Sequence, residues 1–186
     1  MRDQRVPSGL EAYFAKSSVA IALSRPDPDH ELVFVNPPFE TLTGYSSADI
    51  VGKNCRMIQG ASANADARRL IGQFLGRPDQ PSVRTPIVNF RKDGTPFVNL
   101  LYMAKLRDRD GTVRFIVASQ FDVSRTKPEL LAEYDVTLAR TIDRMSPAFM
   151  DSGLVVDGSL MTIGNTVAMI AQAKLTLGDI DDAAIG

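Results

Sequence analysis

The chain has 186 residues, 44% hydrophobic and 23% charged, with a formal net charge of -1. That length suits one domain plus an extension and can bury a core, and the near-neutral balance gives no electrostatic case for nucleic acid or an anionic membrane surface. One cysteine excludes an internal disulfide and a multi-cysteine metal site, and one histidine argues against zinc, haem and phosphorelay chemistry.

No apolar run approaches the roughly 20 residues of a membrane helix. The start, Met1-Arg2-Asp3-Gln4-Arg5, leads into no apolar stretch of signal-peptide length, so the cytoplasm is the expected compartment. Residues 9–17 predict a short helix with Leu10, Tyr13 and Phe14 on one side, and residues 1–18 form a helical N-terminal cap. Residues 19–23 and 32–35 predict two short strands around the Pro- and Asp-rich turn at 25–29. Helices are expected at 39–45 and 65–75. Three strands follow at 82–90, 96–105 and 113–122, joined by turns ending in Asp93-Gly94 and Asp110-Gly111. Two strands, short helices and a three-strand meander predict an α+β fold, a five-stranded antiparallel sheet with helices on one side.

Residues 124–186 predict a helical extension of two helices and a tail, with more acidic than basic residues. Thr126 and Glu129 have capping-box spacing. Leu131, Tyr134, Leu138, Ile142 and Met145 form a narrow apolar stripe that Pro147 is expected to end. A second helix is expected at 160–175, with a frayed acidic tail from Gly178. A stripe this narrow suits helix pairing, within the chain or between two copies.

The chemistry concentrates at Gly52-Lys53-Asn54-Cys55-Arg56-Met57-Ile58-Gln59-Gly60. Amides such as Asn54 and Gln59 both donate and accept, which suits the edge of a pteridine, purine or flavin ring. Arg56 suits a phosphate. By itself the segment is equally readable as a buried structural cysteine with polar neighbours. Three further amides sharpen it. Asn89, Asn99 and Gln120 fall in three consecutive strand-like runs that are otherwise apolar. If they face inward, each other or a ligand must satisfy them; the alternative is an open sheet face in solvent.

The pattern from Val33 to Val123 resembles LOV domains, the flavin-binding branch of the PAS fold. The resemblance rests on Leu42-Thr43-Gly44-Tyr45-Ser46, Gly52 to Gly60, Asn89-Phe90-Arg91-Lys92-Asp93-Gly94, Phe97-Val98-Asn99-Leu100 and Gln120-Phe121-Asp122-Val123. It implies a PAS/LOV core at 19–123 and a non-enzymatic blue-light photoreceptor carrying FMN. It implies that Cys55 forms a reversible adduct with the flavin C4a atom. Asn54 and Gln59 would contact the ribityl chain and ring, Arg56 the phosphate, and Asn89 and Asn99 the pyrimidine edge. Gln120 would sit beside N5, reorient when N5 is protonated, and signal to the C-terminal helices. Leu101, with Leu32 and Ile21, would pack on the ring.

There is a departure from the family pattern. A second phosphate-binding arginine is expected on the helix after the cysteine motif, and that position is Gly72. Arg68, four residues earlier on the same face, or Arg69 would substitute; if only Arg56 clamps the phosphate, another flavin fits as well. His30 is either an exposed turn residue or a base that assists thermal decay of the adduct, since imidazole accepts protons near neutral pH. The extension is expected to form a homodimer with light-dependent affinity, tighter in the dark because its stripe has no other domain to cover it. The alternative functional reading is a flavin-binding PAS redox sensor that signals through Gln120 without an adduct. A PAS scaffold without cofactor is a third reading.

Overall fold

The computed structural model describes residues 5–62, 64–124 and 128–157. The chain enters through α1 (Ser8–Ala15), β1 (Ala20–Ser24) and β2 (Leu32–Val35), then α2 (Pro37–Thr43) and α3 (Ser47–Ile50). A short 3-10 turn, Cys55–Gln59, leads to α4 (Ala65–Gly76) and the long meander β3 (Ser82–Phe90), β4 (Pro96–Asp108) and β5 (Val113–Gln120). The described chain ends with α5 (Pro128–Ser152) and β6 (Leu154–Asp157).

The strands pair antiparallel in the order β2-β1-β5-β4-β3. This is the expected five-stranded sheet. A sixth strand adds to it, because β6 pairs with the end of β4, Lys105 opposite Asp157 and Asp108 opposite Leu154. Gly153, at φ 72, gives the left-handed residue that ends α5 and turns the chain into β6.

Both faces of the sheet are covered. Elements α2 to α4 and the 3-10 turn lie on one face, as expected of the helices. On the other face α1 and α5 bury Leu10, Phe14, Tyr134 and Leu138 against Ile21, Tyr102 and Val117. Strands covered on both faces read as near-continuous apolar runs rather than alternating ones, which is why β1 and β3 are buried almost throughout.

The structure corrects three expectations. Pro147 does not end the helix, which continues to Ser152; an internal proline removes one N–H and leaves the rest of the ladder able to form. The stripe Leu131, Tyr134, Leu138 and Ile142 is not left without cover, because it packs on the chain's own sheet. Ile21 points to the α1–α5 side, since Ala20 and Ala22 on either side of it face the opposite cluster. Thr126, the side chain of Met145, the second helix at 160–175 and the tail fall outside the described residues. No described helix is long and apolar enough to cross a membrane.

Candidate functional site: a cavity between the sheet and the cysteine turn

A cavity of about 690 Å³ opens between the sheet, the Cys55 turn and α4. That is within the roughly 300–1,000 Å³ of small-ligand sites. Strand alternation builds its sheet wall: Ala22 from β1, Ile87 and Asn89 from β3, Asn99, Leu101 and Met103 from β4, Ala118 and Gln120 from β5. Cys55, Asn54, Arg56 and Gln59 form the other wall, and Arg68 and Gly72 come from α4. Apart from Ile21 and Arg69, every residue expected at the site, including Leu101 and Leu32, lines this one cavity.

The 3-10 turn is locally determined. Asn54 caps it: its Oδ1 accepts the Arg56 backbone N–H at 2.8 Å and its Nδ2 donates to the Asp29 carbonyl at 2.6 Å. One amide N–H of Asn54 remains for a ligand. Cys55 packs against the cluster of Leu32, Phe39, Ile50 and Ile58. Burial pushes its thiol from 9.0 up to about 12, so it is protonated at neutral pH.

The three strand amides are buried, which rules out an open sheet face for them: Asn89, Asn99 and Gln120 are 2%, 1% and 3% exposed. Two of them bond each other, Asn99 Nδ2 donating to Asn89 Oδ1 at 2.9 Å. Asn89 Nδ2 also donates to the Val88 carbonyl, and Asn99 Oδ1 accepts the Phe121 N–H at 3.2 Å. Each asparagine keeps one N–H free. Gln120 differs: its Oε1 is buried and has no partner. A buried orphan acceptor is costly unless a ligand group satisfies it.

The mouth is cationic. Arg56 and Arg68 are exposed, and among the described residues no carboxylate lines the cavity. Arg68 Nε donates to Gln59 Oε1 at 3.2 Å, which holds the guanidinium at the cavity. Arg69 instead pairs with Asp66 at 3.6 Å and does not line the cavity. Of the two substitutes for an arginine at Gly72, Arg68 has the placement. A ring with polar edges and an anionic tail fits this donor set. Among the described residues no cluster of three or more His, Cys, Asp or Glu side chains forms a metal site.

His30 also lines the cavity. Its backbone is in the left-handed region, φ 47, held by its N–H bonding the Asp27 carbonyl at 3.0 Å. Its Nδ1 lies 3.2 Å from the Arg25 carbonyl. A carbonyl can only accept, so that nitrogen carries the proton and Nε2 of the neutral ring is the acceptor.

Sequence reasoning missed Asn64. Its side chain clamps the free edge of β3, with Oδ1 accepting the Val88 N–H at 3.0 Å and Nδ2 donating to the Val88 carbonyl at 2.9 Å. An asparagine just before a helix reads as an ordinary cap. Here it makes no cap bond to α4 and ties the post-cysteine segment to the sheet instead.

Comparison with known proteins agrees with this geometry. A family model described as a PAS domain matches residues 18–125. Blue-light-activated histidine kinase 1 of Erythrobacter litoralis is 36% identical over 110 residues, covering 59% of this chain and 30% of that protein, so the chain spans less than a third of that relative. The LOV domain of the EL346 blue-light activated histidine kinase from the same organism superposes with a TM-score of 0.53 at 33% identity, covering 56% of this chain and 95% of that one. The Rhodobacter sphaeroides LOV protein superposes with a TM-score of 0.69 over 96% of both chains; at 24% identity this shows a shared fold. The chain therefore belongs to the PAS domain family and carries a LOV domain.

Proposed function

We propose that this chain is a blue-light receptor that holds a flavin in the cavity, FMN by the charge of the mouth. The observation that carries this reading is Gln120 Oε1, an orphan acceptor on the sheet wall of a cavity whose other wall presents a thiol held protonated. Similarity to a blue-light-activated histidine kinase supports the light-sensing part. When bound, the flavin supplies blue-light absorption and a ring carbon able to take the thiol sulfur.

The chain's own residues do the rest. Arg56 and Arg68 hold the phosphate, with charge-assisted hydrogen bonds stronger than neutral ones. Asn89 and Asn99, fixed by their mutual bond, turn their remaining N–H groups to the pyrimidine carbonyls. Cys55 would offer its sulfur to the flavin, and its S–H would supply the proton that the flavin takes up. Gln120 has an acceptor end and a donor end, so by rotating it could answer a ring nitrogen in either protonation state. With the proton returned to Cys55 in the dark, the chain would act as a resettable receptor, not an enzyme.

Absorption spectra before and after blue illumination test the reading. A reversible loss of the blue band in the wild type and not in Cys55→Ala is expected. A colourless protein overturns it, and a reversible bleach that survives Cys55→Ala moves the function to redox sensing. Light-dependent self-association of the extension belongs to the same proposal. With the stripe of α5 spent on its own sheet, association has to use other faces, where Leu130 and Val136 are 49% and 51% exposed. The reason for expecting the tighter dimer in the dark is thereby removed. Equal mass by scattering in dark and light would remove light-dependent association altogether.

A further inference from the structure

We propose that Tyr134 of α5 is the positioning residue through which a change at Gln120 crosses the sheet, an inference that rests on the flavin reading above. Gln120 faces the cavity, so its neighbours Ser119 and Phe121 face the other side. Both are held by one residue. The Tyr134 hydroxyl donates to Ser119 Oγ at 3.1 Å. The Tyr134 ring stacks on Phe121, centroids 4.0 Å apart and planes 11° from parallel. Phe121 is also tied to the cavity wall, because its N–H donates to Asn99 Oδ1. Burial pushes the Tyr134 phenol to about 12, so it stays a donor.

The start of the covalent path out of β5, at residues 122–124, is by contrast clamped. The Val123 N–H donates to the Val98 carbonyl at 2.9 Å, Ser124 Oγ accepts the Val98 N–H at 2.7 Å, and Arg91 pairs with Asp122 at 2.6 Å. Three anchors within three residues resist displacement. Tyr134 is held at Gln120's neighbours by one hydrogen bond and one stack, each of which depends on where Ser119 and Phe121 lie. A shift of the backbone around Gln120 therefore alters both together. Two further polar ties of α5 among the described residues, Arg84 to Asp135 and the Tyr13 hydroxyl to the Thr141 carbonyl, touch neither neighbour.

The test uses the full chain with its flavin and measures amide hydrogen exchange of α5 in dark and light. The wild type is expected to bleach and to exchange faster in light between Tyr134 and Ile142. Tyr134→Phe and Ser119→Ala should bleach normally while the light-induced rise falls about fivefold, the factor one ordinary hydrogen bond represents. Tyr13→Phe removes a bond of the same kind from α5, 2.8 Å long, and should keep the full rise. A wild-type rise in both Tyr134→Phe and Ser119→Ala overturns the route. So does an equal loss in Tyr13→Phe, which would mean that helix docking alone matters, and so does a wild type that bleaches with no change in α5. A wild type that does not bleach fails at the flavin reading, and the route falls with it.

Discussion

Gly60 sits against the ring of Phe90 so closely that a Cβ on it would lie 2.7 Å from Phe90 Cδ2. The glycine closes the Cys55 turn at φ 58 and ψ -151, a region that essentially only glycine occupies. Two costs therefore coincide at one position, backbone strain and a clash with a ring in the sheet. Gly60→Ala is expected to lose about 2–4 kcal/mol of stability and to displace the cysteine turn. Denaturant unfolding reads the first and thiol accessibility the second. Wild-type values for both would show that the turn is free to move off Phe90.

The raised thiol of Cys55 has a sign that can be checked. Folded and unfolded states differ in proton binding between the ordinary value of 9.0 and about 12. In that window the unfolded thiol gives up its proton first, so the folded state binds more protons and stability falls as pH rises. Below 9.0 the contribution is constant. The drop across the window should be smaller in Cys55→Ala. Alkylation of native Cys55 should stay slow up to the same range, because the thiolate is the nucleophile. Identical pH profiles for both chains would place the thiol in a more polar setting than its packing against Ile58 and Leu32 indicates.

Much of this was legible in the sequence, for reasons particular residues make plain. The meander could be read because its strands are covered on both faces and its turns carry Asp93-Gly94 and Asp110-Gly111. The amides could be read because Asn89, Asn99 and Gln120 interrupt apolar runs. Strand β6 was hidden: a four-residue run has no local partner, and Lys105 to Asp108 lies far away in sequence. The stripe on α5 told that something apolar covers it, and nothing in its spacing distinguishes a second copy from the chain's own Tyr102 and Val117. Ile21 was assigned to the wrong face because a one-residue shift reverses a strand. The service of Asn64 to Val88 depends on contact across the fold.

Arg68 and Arg69 make a matched pair for the phosphate end. Arg68 lines the cavity mouth, tied to Gln59, while Arg69 is engaged with Asp66. Arg68→Ala should weaken FMN about tenfold, the low end for an exposed charge-assisted bond, and leave riboflavin unchanged. Arg69→Ala should alter neither. Titration of the apoprotein with both flavins measures this. Equal losses for FMN and riboflavin in Arg68→Ala would show a packing role instead.

Asp135 partners a guanidinium that is itself only 6% exposed, that of Arg84 in β3. Removing the acid leaves that charge buried and unpaired, whereas replacing both residues with apolar ones removes the desolvation cost as well. Asp135→Ala is expected to cost about 1–3 kcal/mol, below the full range for buried pairs because the acid side is 41% exposed. The double variant Arg84→Met with Asp135→Leu should recover most of it. Denaturant unfolding of the two variants gives the comparison, and a double variant less stable than the single one would show that the pair is net stabilising.

His30 combines a strained backbone with an imidazole whose tautomer is set, and each part can be removed separately. At φ 47 an asparagine is tolerated, while a β-branched residue is not. His30→Asn should therefore keep the turn and lose the ring, and His30→Val should lose about 1–2 kcal/mol of stability. If Nε2 serves as the base that draws the proton away during thermal decay, recovery in the dark slows by about a hundredfold in His30→Asn, the lower end of what a positioned base contributes. Flash photolysis of the wild type and His30→Asn decides it. An unchanged recovery rate, with the stability of His30→Val lowered as expected, would confine His30 to the turn that ends at Glu31, where the isolated bridge to Asn54 joins it to the cysteine segment.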